Sequence, residues 1–133
     1  GCGPRKPNPT AGACCVGARH VLVAYNLLLV DPSIERGRAL VRALRSPEVR
    51  ALAFTVADGI EVSCNLIAPW RIGPSQVFDR VASFAPIKRA DLVGLVPEAV
   101  LRAIDRDRWV ELGLSEDRTI ESRLASVRAA SVD

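Results

Sequence analysis

Residues 49–67, VRALAFTVADGIEVSCNLI, hold two strand-forming runs around one tight turn. Val49 to Ala57 and Ile60 to Ile67 are the runs, and Asp58-Gly59 between them is a strong signal for a two-residue hairpin. Working toward the N-terminus, Pro47 closes a helical stretch in which Ile34, Gly37, Val41 and Leu44 recur on one face. Arg36, Arg38, Arg42 and Arg45 fall outside that set and read as a solvated face. Asp31-Pro32 ahead of it supplies an N-cap and a proline in the first turn. His20 to Val30, rich in Val and Leu, reads as a buried strand. Working toward the C-terminus, Gly73-Pro74-Ser75 opens a second helix with Val77, Phe78, Val81, Phe84 and Ala85 on one face, ended by Pro86. Leu92 to Val96 is a fourth strand. Pro97 starts a short helix carrying Val100, Leu101 and Ile104, and a last amphipathic helix from about Ser115 carries Ile120, Leu124 and Val127. The order is β-α-β-β-α-β with helices added at the end, the ferredoxin-like pattern of the α+β class. Its antiparallel sheet needs helices on one face only, and the other face is free to meet something else.

Composition bounds the partners. Of 133 residues, 49% are apolar and 25% charged, as in an ordinary folded domain. The net charge of +3 comes from 18 basic and 15 acidic side chains interspersed with one another. A nucleic-acid surface gathers its basic groups on one face, so that class is not expected, while an anionic small molecule suits the mild positive bias. Four cysteines with no CxxC and a single histidine give no zinc pattern, and no metal is expected. Cys2, Cys14, Cys15 and Cys64 read as small buried apolar residues of a reducing, cytoplasmic compartment. No apolar run reaches a membrane span and no signal peptide is visible, so no membrane partner is expected. The chain contains no methionine, which reads as processing or as a piece of something longer.

The first 18 residues, GCGPRKPNPTAGACCVGA, hold three prolines and four glycines and read as a shaped loop. On spacing alone this arm is an interdomain linker with surface charges at Arg5 and Lys6.

Several stretches together resemble the glutamate formiminotransferase family. Gly17-Ala18-Arg19 running into Val-Leu-Val-Ala-Tyr-Asn at 21–26 is similar to the family's first strand. Val62-Ser63-Cys64-Asn65-Leu66 resembles its VS-x-NL, and Leu92-Val93-Gly94-Leu95-Val96-Pro97 its LVGLVP. The arm from Gly3-Pro4 to Gly12 resembles its folate-contacting segment, and order and spacing agree from Gly3 to about Leu124. The chain departs from the family at Leu28, where a second Asn is frequent. It also departs at Arg89-Ala90-Asp91, where Gly-Ser-Glu or Gly-Ser-Gln is usual, and at Asn8, where bacterial members often have His.

The resemblance implies a two-part organisation: residues 1–18 as an arm from a preceding subdomain, and residues 19–133 as the C-terminal subdomain of the transferase. It implies transfer of a formimino group from N-formimino-L-glutamate to tetrahydrofolate in a cleft between two ferredoxin-like subdomains. The catalytic histidine belongs to the N-terminal subdomain, so the chain is expected to be inactive alone. A non-catalytic folate-binding or regulatory module of the same fold is the alternative, and a homodimer is left open. On this likeness Gly3, Pro4, Arg5, Lys6, Pro7, Asn8, Pro9, Thr10, Ala11 and Gly12 contact folate, with Arg5 and Lys6 meeting carboxylates.

Four further residues are candidates for the cleft. Asn26 and Asn65 are amides inside apolar strands, and either face the ligand or tie neighbouring strands together. Asp91 either orients a ligand or caps the turn near Lys88 and Arg89. Arg19 holds the arm or a carboxylate. His20 and Cys64 are expected to be structural, and Trp70 and Trp109 to be packing residues. An RNA-binding reading of the same element order needs aromatics on the central strands, where only Tyr25 and Phe54 are on offer.

Overall fold

A computed structural model describes residues 6, 8–14, 16–30 and 33–130. Its elements follow the expected order. They are β1 (Val23–Leu29), α1 (Ile34–Leu44), β2 (Val49–Val56), β3 (Gly59–Leu66), α2 (Pro74–Ala82), β4 (Ile87–Val93), α3 (Glu98–Arg102) and α4 (Ile120–Ala130), with 3-10 turns at Arg106–Arg108 and Glu116–Arg118. The sheet runs β2-β3-β1-β4 with every neighbour antiparallel. This is the ferredoxin-like arrangement.

The pleat decides what each strand buries. Val23, Tyr25, Leu27 and Leu29 of β1 join Ile60, Val62, Cys64 and Leu66 of β3 on one face. Leu40, Val41 and Leu44 of α1 and Val77, Phe78 and Val81 of α2 cover them. The helix α1 approaches so closely that a Cβ on Gly37 would lie 2.7 Å from Cγ2 of Ile60. Its arginines Arg36, Arg38, Arg42 and Arg45 are exposed, as their positions implied. A third group, Val100, Leu101, Ile104, Leu112 and Leu114, extends the core. The Tyr25 hydroxyl donates to the Leu112 carbonyl at 2.9 Å and ties that segment to the sheet. Trp109, half-buried, donates from Nε1 to the Ile104 carbonyl at 3.0 Å.

Several boundaries differ from the sequence reading. Ser33 caps α1, with its hydroxyl accepting from the Arg36 N–H, while Asp31 and Pro32 lie outside the described residues. The helix α2 stops at Ala82, before Pro86, and leaves Phe84 half in solvent. Pro86 therefore precedes β4 rather than ending the helix. The strand β4 starts at Ile87 and ends at Val93, not at Val96, because Gly94 turns the chain at φ +86°. Arg118 then donates to the carbonyls of Leu92 and Gly94 at 2.7 and 3.0 Å and closes the strand end. The helix α4 begins at Ile120, behind a cap at Thr119 rather than at Ser115. It is not the expected amphipathic element: it buries none of its residues, and Leu124 and Val127 face solvent. No helix among the described residues is long and apolar enough to cross a membrane.

Candidate functional site

The sheet has a second face, turned away from the helices, and the register fixes what stands on it. One row across the strands reads Leu52, Ser63, Asn26, Asp91. The next reads Phe54, Glu61, Leu28, Arg89, and a third reads Arg50, Asn65, Ala24, Val93. Ser63, Asn26, Glu61 and Asn65 make the middle of the face mostly polar around Ala24 and Leu28, and the rims mix the charged Arg50, Arg89 and Asp91 with apolar Leu52, 62% exposed, Phe54, 42%, and Val93, 50%. A flat ligand with polar edges could lie on such a surface.

Three of the residues singled out from separate stretches meet here. Asn26 and Asp91 are register partners on β1 and β4, and Asn65 lies one row away on β3. The Asn26 amide donates from Nδ2 to Oε1 of Glu61 at 2.8 Å, a cross-strand tie that leaves its carbonyl oxygen facing the same surface. Asp91 accepts from Nε of Arg89 at 2.6 Å. That bond is the main reason the Arg89 guanidinium is held above its ordinary pKa. Asp91 is thus held by its own strand neighbour, and it stands on the open face as well. Asn65 lines, with Ser63, a groove of about 430 Å3 that runs to the β2 edge past Arg45 and Arg50.

The arm is placed only in part. Gly3, Pro4, Arg5 and Pro7 lie outside the described residues. Lys6, Asn8, Pro9, Thr10, Ala11 and Gly12 are exposed. Asn8 folds the turn on itself, its Oδ1 accepting from the N–H groups of Thr10 and Ala11 and from the Thr10 hydroxyl, each at 2.9 Å. Gly12 closes the turn at φ +66° with its N–H on the Asn8 carbonyl. Asn8 Oδ1 is therefore occupied by the arm itself. Arg19 is exposed and donates to the neighbouring His20 carbonyl at 3.2 Å. It is not drawn to the sheet by any bond of its own.

Other side chains find structural roles. His20 meets Trp70 edge-on at 6.4 Å, and Trp70 is 59% exposed and outside the core, not the packing residue expected. Cys14, expected to be buried, is exposed, whereas Cys64 is fully buried on the helix side, and burial pushes the Cys64 thiol up to about 12, which keeps it protonated at neutral pH. Tyr25 points into the core, and Phe54 stands on the edge strand. The central strands β1 and β3 carry no aromatic on the open face, so it lacks the stacking pair of an RNA-binding sheet. Among the described residues no group of three His, Cys, Asp or Glu side chains is arranged to hold a metal ion. Glu61, Ser63 and Arg89 share the face but were not singled out from sequence. The period of two along β3 marks Glu61 and Ser63, and Arg89 joins them only through the pairing of β4 with β1.

No family model matches the chain. It is similar to a glutamate formimidoyltransferase. That protein, from Thermoplasma acidophilum, is 28% identical over 127 residues, which cover 86% of this chain. The chain spans 42% of the length of that formimidoyltransferase.

Proposed function

We propose that this chain supplies one wall of a cleft in which a formimino group passes from N-formimino-L-glutamate to tetrahydrofolate. The likeness to the Thermoplasma formimidoyltransferase supports the reaction class. The observation that carries the assignment to this surface is the meeting of Asn26, Asn65 and Asp91 on one uncovered sheet face. A pterin is flat, with donors and acceptors along its edge. The carbonyl oxygen of Asn26, the Asn65 amide and the Asp91 carboxylate offer complementary groups in one plane, and Leu52, Phe54 and Val93 give its rings apolar contact at the rims. Leu28, buried between Glu61 and Arg89 in the register, makes the middle of the face less polar than the family pattern implies.

The role of this wall is positioning. Holding two reactants in register removes much of the entropic barrier to their meeting. Proton removal from the folate nitrogen requires a general base. The one imidazole, His20, is exposed beside Trp70. On this reading the base belongs to a histidine of an N-terminal subdomain, which closes the cleft from the other side, and residues 1–18 strap the two together.

Tetrahydrofolate titrated into the 133-residue chain, followed by calorimetry, tests this directly. Weak binding is expected, lost in the Asn26→Leu/Asn65→Leu double variant, with no formimino transfer by the isolated chain. Turnover by the chain alone, or binding untouched by the double variant, would sink the proposal.

A further inference from the structure

The outer edge of the sheet is formed by β2, and its backbone is open. Ser46 N–H donates to the Val49 carbonyl at 3.0 Å, and Val49 N–H returns to the Ser46 carbonyl at 3.3 Å, so residue 49 turns its polar groups outward. The Glu48 carbonyl instead turns inward, to the Ile67 N–H at 2.7 Å. The register of β2 on β3 is unbroken, and ladder bonds alternate along an antiparallel strand. Ala51, Ala53 and Thr55 therefore present N–H and C=O groups outward as well. One of these is satisfied: Arg45 donates from Nε to the Ala51 carbonyl at 2.9 Å. The others have no partner among the described residues. Edge strands are usually blunted by a bulge, a proline or a covering element, and this one carries none of them.

Positive charge flanks the edge on both sides. A hollow of about 320 Å3 on the helix side is lined by Arg38, Arg42 and Arg45 with Leu52 and Ala53. The groove on the open-face side is lined by Arg45 and Arg50. Arg38, Arg42 and Arg50 have no carboxylate partner among the described residues. The nearby Glu48 is engaged with Arg71 at 3.5 Å, and Glu61 with Asn26.

We propose that the free edge of β2 takes up an extended acidic segment of a partner protein as a fifth strand. Main-chain bonds to the Ala51 N–H and to the N–H and C=O groups of Ala53 and Thr55 supply the pairing. Because side chains alternate, carboxylates on one side of the added strand reach Arg38 and Arg42 beside α1. Apolar residues on its other side cover Leu52 and Phe54, and a terminal acid meets Arg50. Charge excludes two other occupants. A second copy would bring its own VRALAFTV strand, which carries an arginine and no carboxylate. The arm of residues 1–18 carries Arg5 and Lys6, three prolines and no acid.

The test is fluorescence anisotropy of a labelled octapeptide alternating glutamate and valine, titrated with the full chain, beside amide hydrogen exchange. Binding is expected that weakens with salt, with slowed exchange at Ala51, Ala53 and Thr55. Ala53→Pro removes one outward N–H at a place where an edge strand tolerates proline, and weakens binding at least about tenfold. Arg38→Glu/Arg42→Glu, remote from the backbone contacts, does the same, and a lysine-for-glutamate peptide does not bind. The proposal is overturned by no binding to the unaltered chain, or by undiminished binding to the charge-reversed variant. Protection of the same amides by chain concentration alone would assign the edge to a second copy instead. Competition by citrate with no amide protected would reduce it to a site for free anions.

Discussion

Raising the pH should destabilise this chain through Cys64. The residue sits wholly within the core on β3, and burial raises its thiol from the ordinary 9.0 to about 12. The folded chain holds that proton more tightly than the unfolded chain does. Its contribution to stability is therefore complete below about pH 9, and is lost progressively as the pH rises toward about 12. The loss is on the order of 1 kcal/mol by about pH 10 and on the order of 3 kcal/mol by about pH 11. Tyr25, whose hydroxyl is also held protonated by burial, adds loss in the same direction above its ordinary 10.0. Urea unfolding followed by circular dichroism between about pH 8 and about pH 11 reads the total. Cys64→Val keeps an apolar side chain at the site and removes the titrating proton, so the difference between the two curves isolates the thiol. Stability profiles that stay parallel across that range would refute the reasoning, as would rapid alkylation of Cys64 at neutral pH in the folded chain.

Gly113→Ala should be far more damaging than a single methyl suggests. A Cβ there would lie 2.2 Å from the Ala90 carbonyl oxygen of β4, at a backbone φ of +65°. Left-handed backbone costs ~1–2 kcal/mol and the forced shift in a packed region a further ~1–3 kcal/mol, so a loss near 3 kcal/mol is expected from urea unfolding. Thr119→Ala should act locally instead. Its hydroxyl accepts from the Ser122 N–H at 3.1 Å and caps α4, which is held by no buried side chain of its own. Removing the cap should cost about 1 kcal/mol, seen as faster amide exchange confined to Ile120–Ala130.

The hairpin was legible as two strand runs around a tight turn, but its register was not: the turn residues are Ala57 and Asp58 rather than Asp58-Gly59, and Gly59 opens β3 at φ +145° opposite Val56. Helix α1 was legible in its buried face and in its exposed arginines, because spacing alone separates the two. The C-terminal third was harder. Gly94 ends β4 by a backbone conformation that many glycines share, and no composition marks that one as the break. Helix α4 has apolar residues at helical spacing, yet Leu124 and Val127 are more than half exposed and only Ile120 is partly buried, and periodicity does not reveal that difference.

The candidate site was half legible, and the division has a physical cause. A polar residue inside an apolar strand stands out one at a time, so Asn26, Asn65 and Asp91 could be picked from three separate stretches. What they do together depends on strand order, which places β1 between β3 and β4. Order also supplies Glu61 and Arg89, the charged groups that hold Asn26 and Asp91 in place. Held in this way, the face is prearranged but not enclosed. An open wall leaves its ligand in water, where hydrogen bonds are exchanged for hydrogen bonds to solvent at little net gain. On the proposed reading, strong binding and chemistry both wait for a second wall. That wall must exclude water from the surface spanned by Leu52, Asn26 and Val93, and on the same reading it brings the histidine base.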